Sequence, residues 1–171
     1  FDSLDLLGSQ GQEQVRLARA SVTPAEELGN RAKADEFVIP QAGGQTYYSS
    51  VHFNETTGEP FITVAVPLLD ARTGQVCGVL VSEVRLKRIW DLIMDLQTSP
   101  GQSVYIVDAQ NKVVAHRNPS VVLRGTTFQV PDQDGLRPGL AGSSVVLAAD
   151  KIRLGGQELN IIAEQTVAEA L

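Results

Sequence analysis

Few side chains in this 171-residue chain can do covalent or metal chemistry: two histidines, His52 and His116, and one cysteine, Cys77. No CxxC or HExxH spacing groups them, so they do not make a structural zinc site. A GxSxG elbow, a GxxxxGK phosphate loop and paired acids with a plausible base are likewise missing from the sequence. No catalytic residue, metal or cofactor is therefore implied, and the chain reads as something other than an enzyme. Cys77, among apolar neighbours, reads as a small buried hydrophobe and not as a nucleophile.

The remaining chemistry is that of binding. Glu83 interrupts the apolar run Val79–Val84, either as a strand-end carboxylate that reaches solvent or pairs with a basic neighbour such as Arg31 or Arg85, or as a charge lining a pocket. Strand alternation over residues 47–53 puts Tyr48, Ser50 and His52 on one face, and Tyr47, Ser49, Val51 and Phe53 on the other. An aromatic and polar face of that kind suits a small polar ligand as well as ordinary packing. Thr63, on a strand apolar on both faces, has the same two readings. Asp108 and Asn111 read as turn-shaping residues, and His116 with Arg117 as structural, the alternative being a place in a cavity of their own module.

These residues need a frame. Leu4 to Arg19 reads as a hairpin turning at Gly8-Ser9-Gln10-Gly11. Thr23-Pro24-Ala25-Glu26 predicts a capped helix running to about Asp35, followed by a turn at Gln41–Gly44. Strands are predicted at Tyr47–Phe53, Phe61–Leu69 and Val76–Arg85, the middle one central in its sheet. Leu86, Ile89, Trp90, Ile93 and Leu96 mark one face of a helix, which ends at Ser99-Pro100-Gly101. The order then begins again. Val104 to Arg117 is a second hairpin, aligning with the first if a two-residue gap follows the turn. A short helix over Pro119–Arg124 is capped by Asn118 and stopped by Gly125. Strands Ser143–Ala148, Lys151–Leu154 and Gln157–Glu164 follow, with turns at Ala149-Asp150 and Gly155-Gly156. The fold class is α+β: two tandem PAS-like modules, each a five-stranded antiparallel sheet flanked by helices, at residues 1–97 and 98–171.

Composition sets outer bounds. Hydrophobic residues at 43% and charged residues at 20% describe a folded globular chain. The net charge of -6 is shared by both halves, and neither is basic, so a nucleic-acid partner is excluded. A single cysteine rules out an intrachain disulfide, and no run reaches the roughly 18 apolar residues of a membrane span. The first residue is not methionine and the last residues open a helix, so the chain reads as an excised piece of a longer protein.

Beyond such generic parts, the sequence resembles the double Cache family of extracytoplasmic PAS-like sensor modules in bacterial receptors. In the first half the resemblance is carried by Tyr47-Tyr48-Ser49, Gly58-Glu59-Pro60, Val64-Ala65-Val66-Pro67, the run Gly78 to Lys87, and Ile89-Trp90-Asp91. In the second it is carried by Gly101, Val104 to Asp108 and Val113 to Thr126. It covers nearly the whole chain and is closest to sensors of histidine kinases of two-component systems, with nucleotide-cyclase receptors next. It implies a periplasmic domain of a membrane-anchored receptor, homodimeric when whole, between a long helix before Phe1 and a second span after Leu171. It also implies that the membrane-distal first module holds a small polar metabolite, placing the site among Arg31, Tyr47, Tyr48, His52, Thr63 and Glu83. The alternative is a structural dimerisation module that binds nothing small. Two positions depart from the pattern: Gly8 stands where aspartate is usual, and Glu83 where many relatives carry aspartate. The family's amino-acid signature of Arg, Trp and Tyr ahead of that acid is not evident, so no amino-acid ligand is carried over.

Overall fold

The computed structural model describes residues 2–19, 21–96 and 101–170. It is α+β, with two antiparallel sheets of seven and five strands. Two compact units divide it. One comprises the chain up to His52 with Phe61–Arg85, the other Phe53–Pro60 with the chain from Leu86 onward. The division expected near Pro100 falls at residues 97–100, outside the described residues.

In the seven-stranded sheet β1 (Ser3–Gly8) and β2 (Glu13–Ala18) form the expected hairpin, extended by β3 (Ser21–Val22). They are followed by α1 (Asp35–Gly43), β4 (Tyr47–Tyr48), β5 (His52–Phe53), β6 (Pro60–Leu69) and β7 (Val76–Arg85). The strand order is β3-β2-β1-β7-β6-β4, with β5 also on β6. Seven strands replace the five expected partly because Tyr47–Phe53 is not one strand. Ser49 N donates to Thr63 O at 2.9 Å, but Thr63 N donates to the Ser49 hydroxyl at 2.8 Å. A side chain thus takes a place in the ladder that backbone would hold, and the strand breaks into β4 and β5. The other addition is the short β3. Strand β6, expected at the centre, lies toward the edge, between β7 on one side and β4 and β5 on the other. Pro67 fits there: it lies beyond Ala65, where the pairing with β4 stops.

The helix expected over Pro24–Asp35 is a single 3-10 turn at Ala25–Glu27 that no side chain caps. The backbone that would continue it is bonded to the hairpin instead. Glu13 N donates to Gly29 O at 3.0 Å, and Arg31 N to Gly11 O at 2.8 Å. The helix forms later, as α1, and swallows most of the expected 41–44 turn before Gly44 closes it in the left-handed region. Its Phe37 joins Leu7, Ala65, Val79 and Val81 in a core against which Tyr47 packs. Burying a large side chain of this kind stabilises by about 1.5–3 kcal/mol. Cys77 is exposed, contrary to expectation. Gly78 pairs with Leu68 and Val76 with Leu69, so Cys77 is the extra residue of a bulge.

The second unit contains α2 (Lys87–Leu96), β8 (Gln102–Val107), β9 (Val113–His116), α3 (Pro119–Leu123), β10 (Gly135–Pro138), β11 (Ser144–Leu154), β12 (Gln157–Thr166) and α4 (Val167–Ala170). Its sheet runs β10-β11-β12-β8-β9, a hairpin followed by a meander as expected. The meander starts earlier, in the polar stretch around Gly135, and Ala149-Asp150 is not a turn. Pairing of β11 with β12 continues unbroken from Val145↔Thr166 to Leu154↔Gln157, and the Lys151–Glu158 ion pair (2.6 Å) ties the exposed end. Asn118 caps α3 through Ser120 N at 3.0 Å, as its sequence indicates. Helix α2, which the sequence groups with the first module, packs on the second. Trp90 donates its indole N–H to Val114 O at 2.9 Å, and Leu86, Trp90 and Ile93 are buried. The apolar face is narrower than expected, because Leu96 is 64% exposed.

The two hairpins are a structural duplication without the expected gap. Gly8 N donates to Gln12 O and Gly11 N to Gly8 O; Asp108 N donates to Lys112 O and Asn111 N to Asp108 O. Gly11 and Asn111 both adopt positive φ, 76° and 63°. Both hairpins shift register at the same place, between Leu6 and Leu7 and between Ile106 and Val107. Even the returning segments match, since Arg31 N reaches Gly11 O as Phe128 N reaches Asn111 O.

Candidate functional site

On the α1 side of the first sheet, register aligns Ser3, Glu83 and Thr63 in one row and Asp5, Val81, Ala65 and Tyr47 in the next. Glu83 and Thr63 are therefore direct cross-strand neighbours. His52 joins them, its Nε2 3.7 Å from Glu83 Oε1 and its ring stacked on Phe61 with centroids 6.2 Å apart. The two side chains are 41% and 43% exposed, so this is an open acid–imidazole pair and not a sealed ion pair. Tyr47 is half-buried on the same face, its phenol held above the usual range by burial and by the nearby Asp35 and Glu36 carboxylates.

Two expected members are elsewhere. Tyr48 pairs with Val64, whose neighbour on β7 is Ser82, and so faces the other side of the sheet. The break at Ser49–Val51 undoes the alternation that joined Tyr48 to His52. Arg31 is on the α1 side but is occupied: Nη2 bonds Asp5 at 2.6 Å and Nε bonds Glu13 at 2.7 Å. Arg16 adds a second guanidinium on Glu13. Asp5 and Glu13 are 2% and 3% exposed. Burial pushes the Glu13 carboxyl up, but Gly29 N–H, Arg16 and Arg31 more than reverse it and hold it below the usual range. Arg31 is thus a structural cation, and no clamp with Glu83 forms. The sequence reading missed this cluster; its signal was Asp5 alternating with the core residue Leu7, an acid at an inward position.

The second unit contains a concavity of about 320 Å³, lined in part by Ser103, His116, Val121, Leu140, Val145 and Glu164. Glu164 is 8% exposed, and its Oε1 accepts from the Tyr105 hydroxyl at 2.5 Å and from Leu140 N at 2.7 Å. The Tyr105 phenol is driven far above its ordinary range by burial and by that carboxylate. His116 accepts from Asn118 N at Nδ1 (2.8 Å), and its Nε2 lies 3.5 Å from the Ser103 hydroxyl. Burial lowers its affinity for a proton, against the opposing effects of Asn118 and Glu164. His116 thus takes the cavity position held above as the alternative to a structural role.

The family profile described as Cache domain (dCache_1) matches residues 1–171. No curated protein matches the sequence closely. Among solved structures, the fold is similar to the ligand-binding domain of the amino acid chemoreceptor PctC of Pseudomonas aeruginosa PAO1, in complex with GABA. The identity is 17% over 96% of this chain and 74% of that one, with a TM-score of 0.71. It is also similar to the ligand-binding domain of the Pseudomonas fluorescens chemoreceptor CtaA with L-serine, at 14% identity, covering 97% and 73% of the two chains, TM-score 0.64. The domain of the P. aeruginosa chemoreceptor PctB with L-Arg is 18% identical, over 98% and 72%, TM-score 0.64.

Proposed function

Because the chain belongs to the Cache family, we propose that it is the periplasmic ligand-sensing domain of a membrane-anchored receptor, homodimeric when whole, and that its first module binds a small polar metabolite. The observation that carries the site is the convergence of His52, Thr63 and Glu83 on one sheet face, with Tyr47 in the adjacent row. An acid, an imidazole, a hydroxyl and a phenol on an apolar sheet suit a ligand with several polar groups, because a few placed partners orient it. Arg31 supports this wall through Asp5 and Glu13 and does not touch the ligand. Tyr48, on the opposite face, is outside the site. That opposite face carries Leu4, Leu6, Val64, Val66 and Leu80 together with the exposed Val15 and Leu17, and a helix preceding the domain in the receptor packs there. The receptor's output is a histidine kinase; the support for this is the sequence resemblance.

The solved domains of like fold hold GABA, serine and arginine, so amino acids and small amines are the first compounds to screen, by thermal shift. For a compound that binds, titration calorimetry on wild type and Glu83→Ala is the deciding measurement. Loss of a charged contact at the low end of its usual cost, about 2 kcal/mol, weakens binding by roughly 30-fold. Unchanged affinity in Glu83→Ala would sink the assignment to this face.

A further inference from the structure

The duplication of the hairpins extends to the strand beside each. Ser3 pairs with Glu83 on β7, and Ser103 pairs with Glu164 on β12. In the next row Asp5 faces Arg16, and Tyr105 faces His116. Both modules therefore carry a glutamate at one register position, yet its surroundings differ. Where the first unit has the ion cluster of Asp5, Arg16 and Arg31, the second has Tyr105, His116 and Phe128. Tyr105 and Phe128 meet edge to face at 5.5 Å. The second sheet carries a concavity there, with Ser103 and Glu164 of one row and His116 of the next among its lining residues.

Glu164 stands in this concavity without a cation. Both donors it has, Tyr105 and Leu140 N, go to Oε1. Among the described residues nothing hydrogen-bonds Oε2, and no Lys or Arg pairs with the carboxylate. Gly139 packs directly against the acid: a Cβ there would stand 2.8 Å from Oε2 and 2.9 Å from Oε1. The 139–142 turn, closed by Gly142 N on Gly139 O at 2.9 Å, holds that glycine against the acid. A carboxylate more than nine-tenths buried, on a residue that lines a cavity and with one oxygen unbonded among the described residues, lacks the compensation that buried charge requires. Val121, Val145 and Leu140 supply apolar wall, and Ser103 and His116 supply polar contacts at the other side.

We infer that the second module is a ligand site in its own right, taking a small organic ammonium ion whose N–H groups bond Glu164 Oε2 and whose carbon body lies along Val121, Leu140 and Val145. A concavity of about 320 Å³ is at the lower end of the range for small-molecule pockets. This site is independent of the one on the first sheet, and the two are tested by different glutamates.

The test is an amide-resolved NMR titration of this chain with n-butylamine, and with 1-butanol as the neutral control. Saturable shifts are expected for butylamine at Gly139, Leu140 and Ser103, and none for butanol. Glu164→Gln keeps an oxygen acceptor for Tyr105 and Leu140 N, so it preserves the fold while removing the charge; apparent affinity should fall tenfold or more. Gly139→Ala, whose Cβ would displace the Glu164 carboxylate, should weaken the same shifts, and Glu83→Ala should leave them intact. No saturable shift with butylamine, equal response to butanol, or undiminished affinity in Glu164→Gln would each overturn the inference, whatever is found at Glu83.

Discussion

At the scale of single residues, the acid positions are the informative ones, and their partners decide what each does. Asp5 and Glu13 are neutralised by two arginines, Glu83 is half-exposed beside His52, and Glu164 is buried with only neutral donors. The first of these is a stability device. Arg31→Met would leave Asp5 and Glu13 buried with Arg16 as their sole cation. Removing one partner from a buried network of this kind costs about 3–5 kcal/mol. Urea unfolding should show a loss of that order. A change below about 1 kcal/mol would mean that water or Arg16 already compensates the acids. None of these roles follows from residue type, since the same glutamate side chain takes each of them.

At the scale of elements, close approach of backbones is as selective as packing. Strands β1 and β7 form the centre of the first sheet, and Gly8 pairs there with Gly78. A Cβ on Gly78 would stand 2.6 Å from Leu7 O, a distance that backbone atoms cannot relieve by rotating a side chain. Gly78→Ala should therefore push the central strands apart. We expect a loss of at least the 1–3 kcal/mol typical of overpacking, with loss of amide protection concentrated at Leu6 to Gly8. Protection that stays at wild-type level there would contradict the tight pairing. Helix α2 shows the converse. Its amphipathic pattern announced a helix with one buried side, but which sheet would receive Trp90 depended on contacts that no local pattern encodes.

At the scale of the whole molecule, the two units carry different acid sensitivities. His116 in the second unit has a folded-state pKa below its ordinary value, chiefly through burial, with Asn118 and Glu164 opposing. The unfolded chain then binds a proton that the folded unit refuses. Stability from this group is full above the ordinary imidazole pKa, about 6.5, and declines as pH falls toward the lowered one. Glu13 in the first unit is also depressed, but its contribution is lost only as pH falls below the ordinary carboxylate value, about 4.3. Acidification should thus weaken the second unit first. Hydrogen exchange at pH 7 and pH 5.5 should show faster opening of β8, β9 and β12 with little change in β1 and β7, and His116→Gln should abolish that difference. Equal loosening of both units would refute the assignment.

The amino-acid sequence by itself determined the α+β class, the repeated order of hairpin and meander, the amphipathic α2 and the capped α3. Each rests on local physics: alternation, glycine and asparagine at turns, and a cap within reach of its own helix. The acid at position 83 was also visible, as a charge inside an apolar strand. Only the tertiary structure decided where partners come from. Gly29 and Arg31 spend their bonds on the hairpin, so the helix expected from Pro24 did not form. Ser49 inserted its hydroxyl into a ladder, which split a strand and separated Tyr48 from His52. Asp5 and Glu13 claimed Arg31 across intervals of 26 and 18 residues. Glu164 gained its meaning from Tyr105, 59 residues away, and from the absence of a cation among the described residues. Hydrogen bonds and charges are satisfied by whatever lies within about 3 Å, and for these residues that distance bears no relation to separation along the chain.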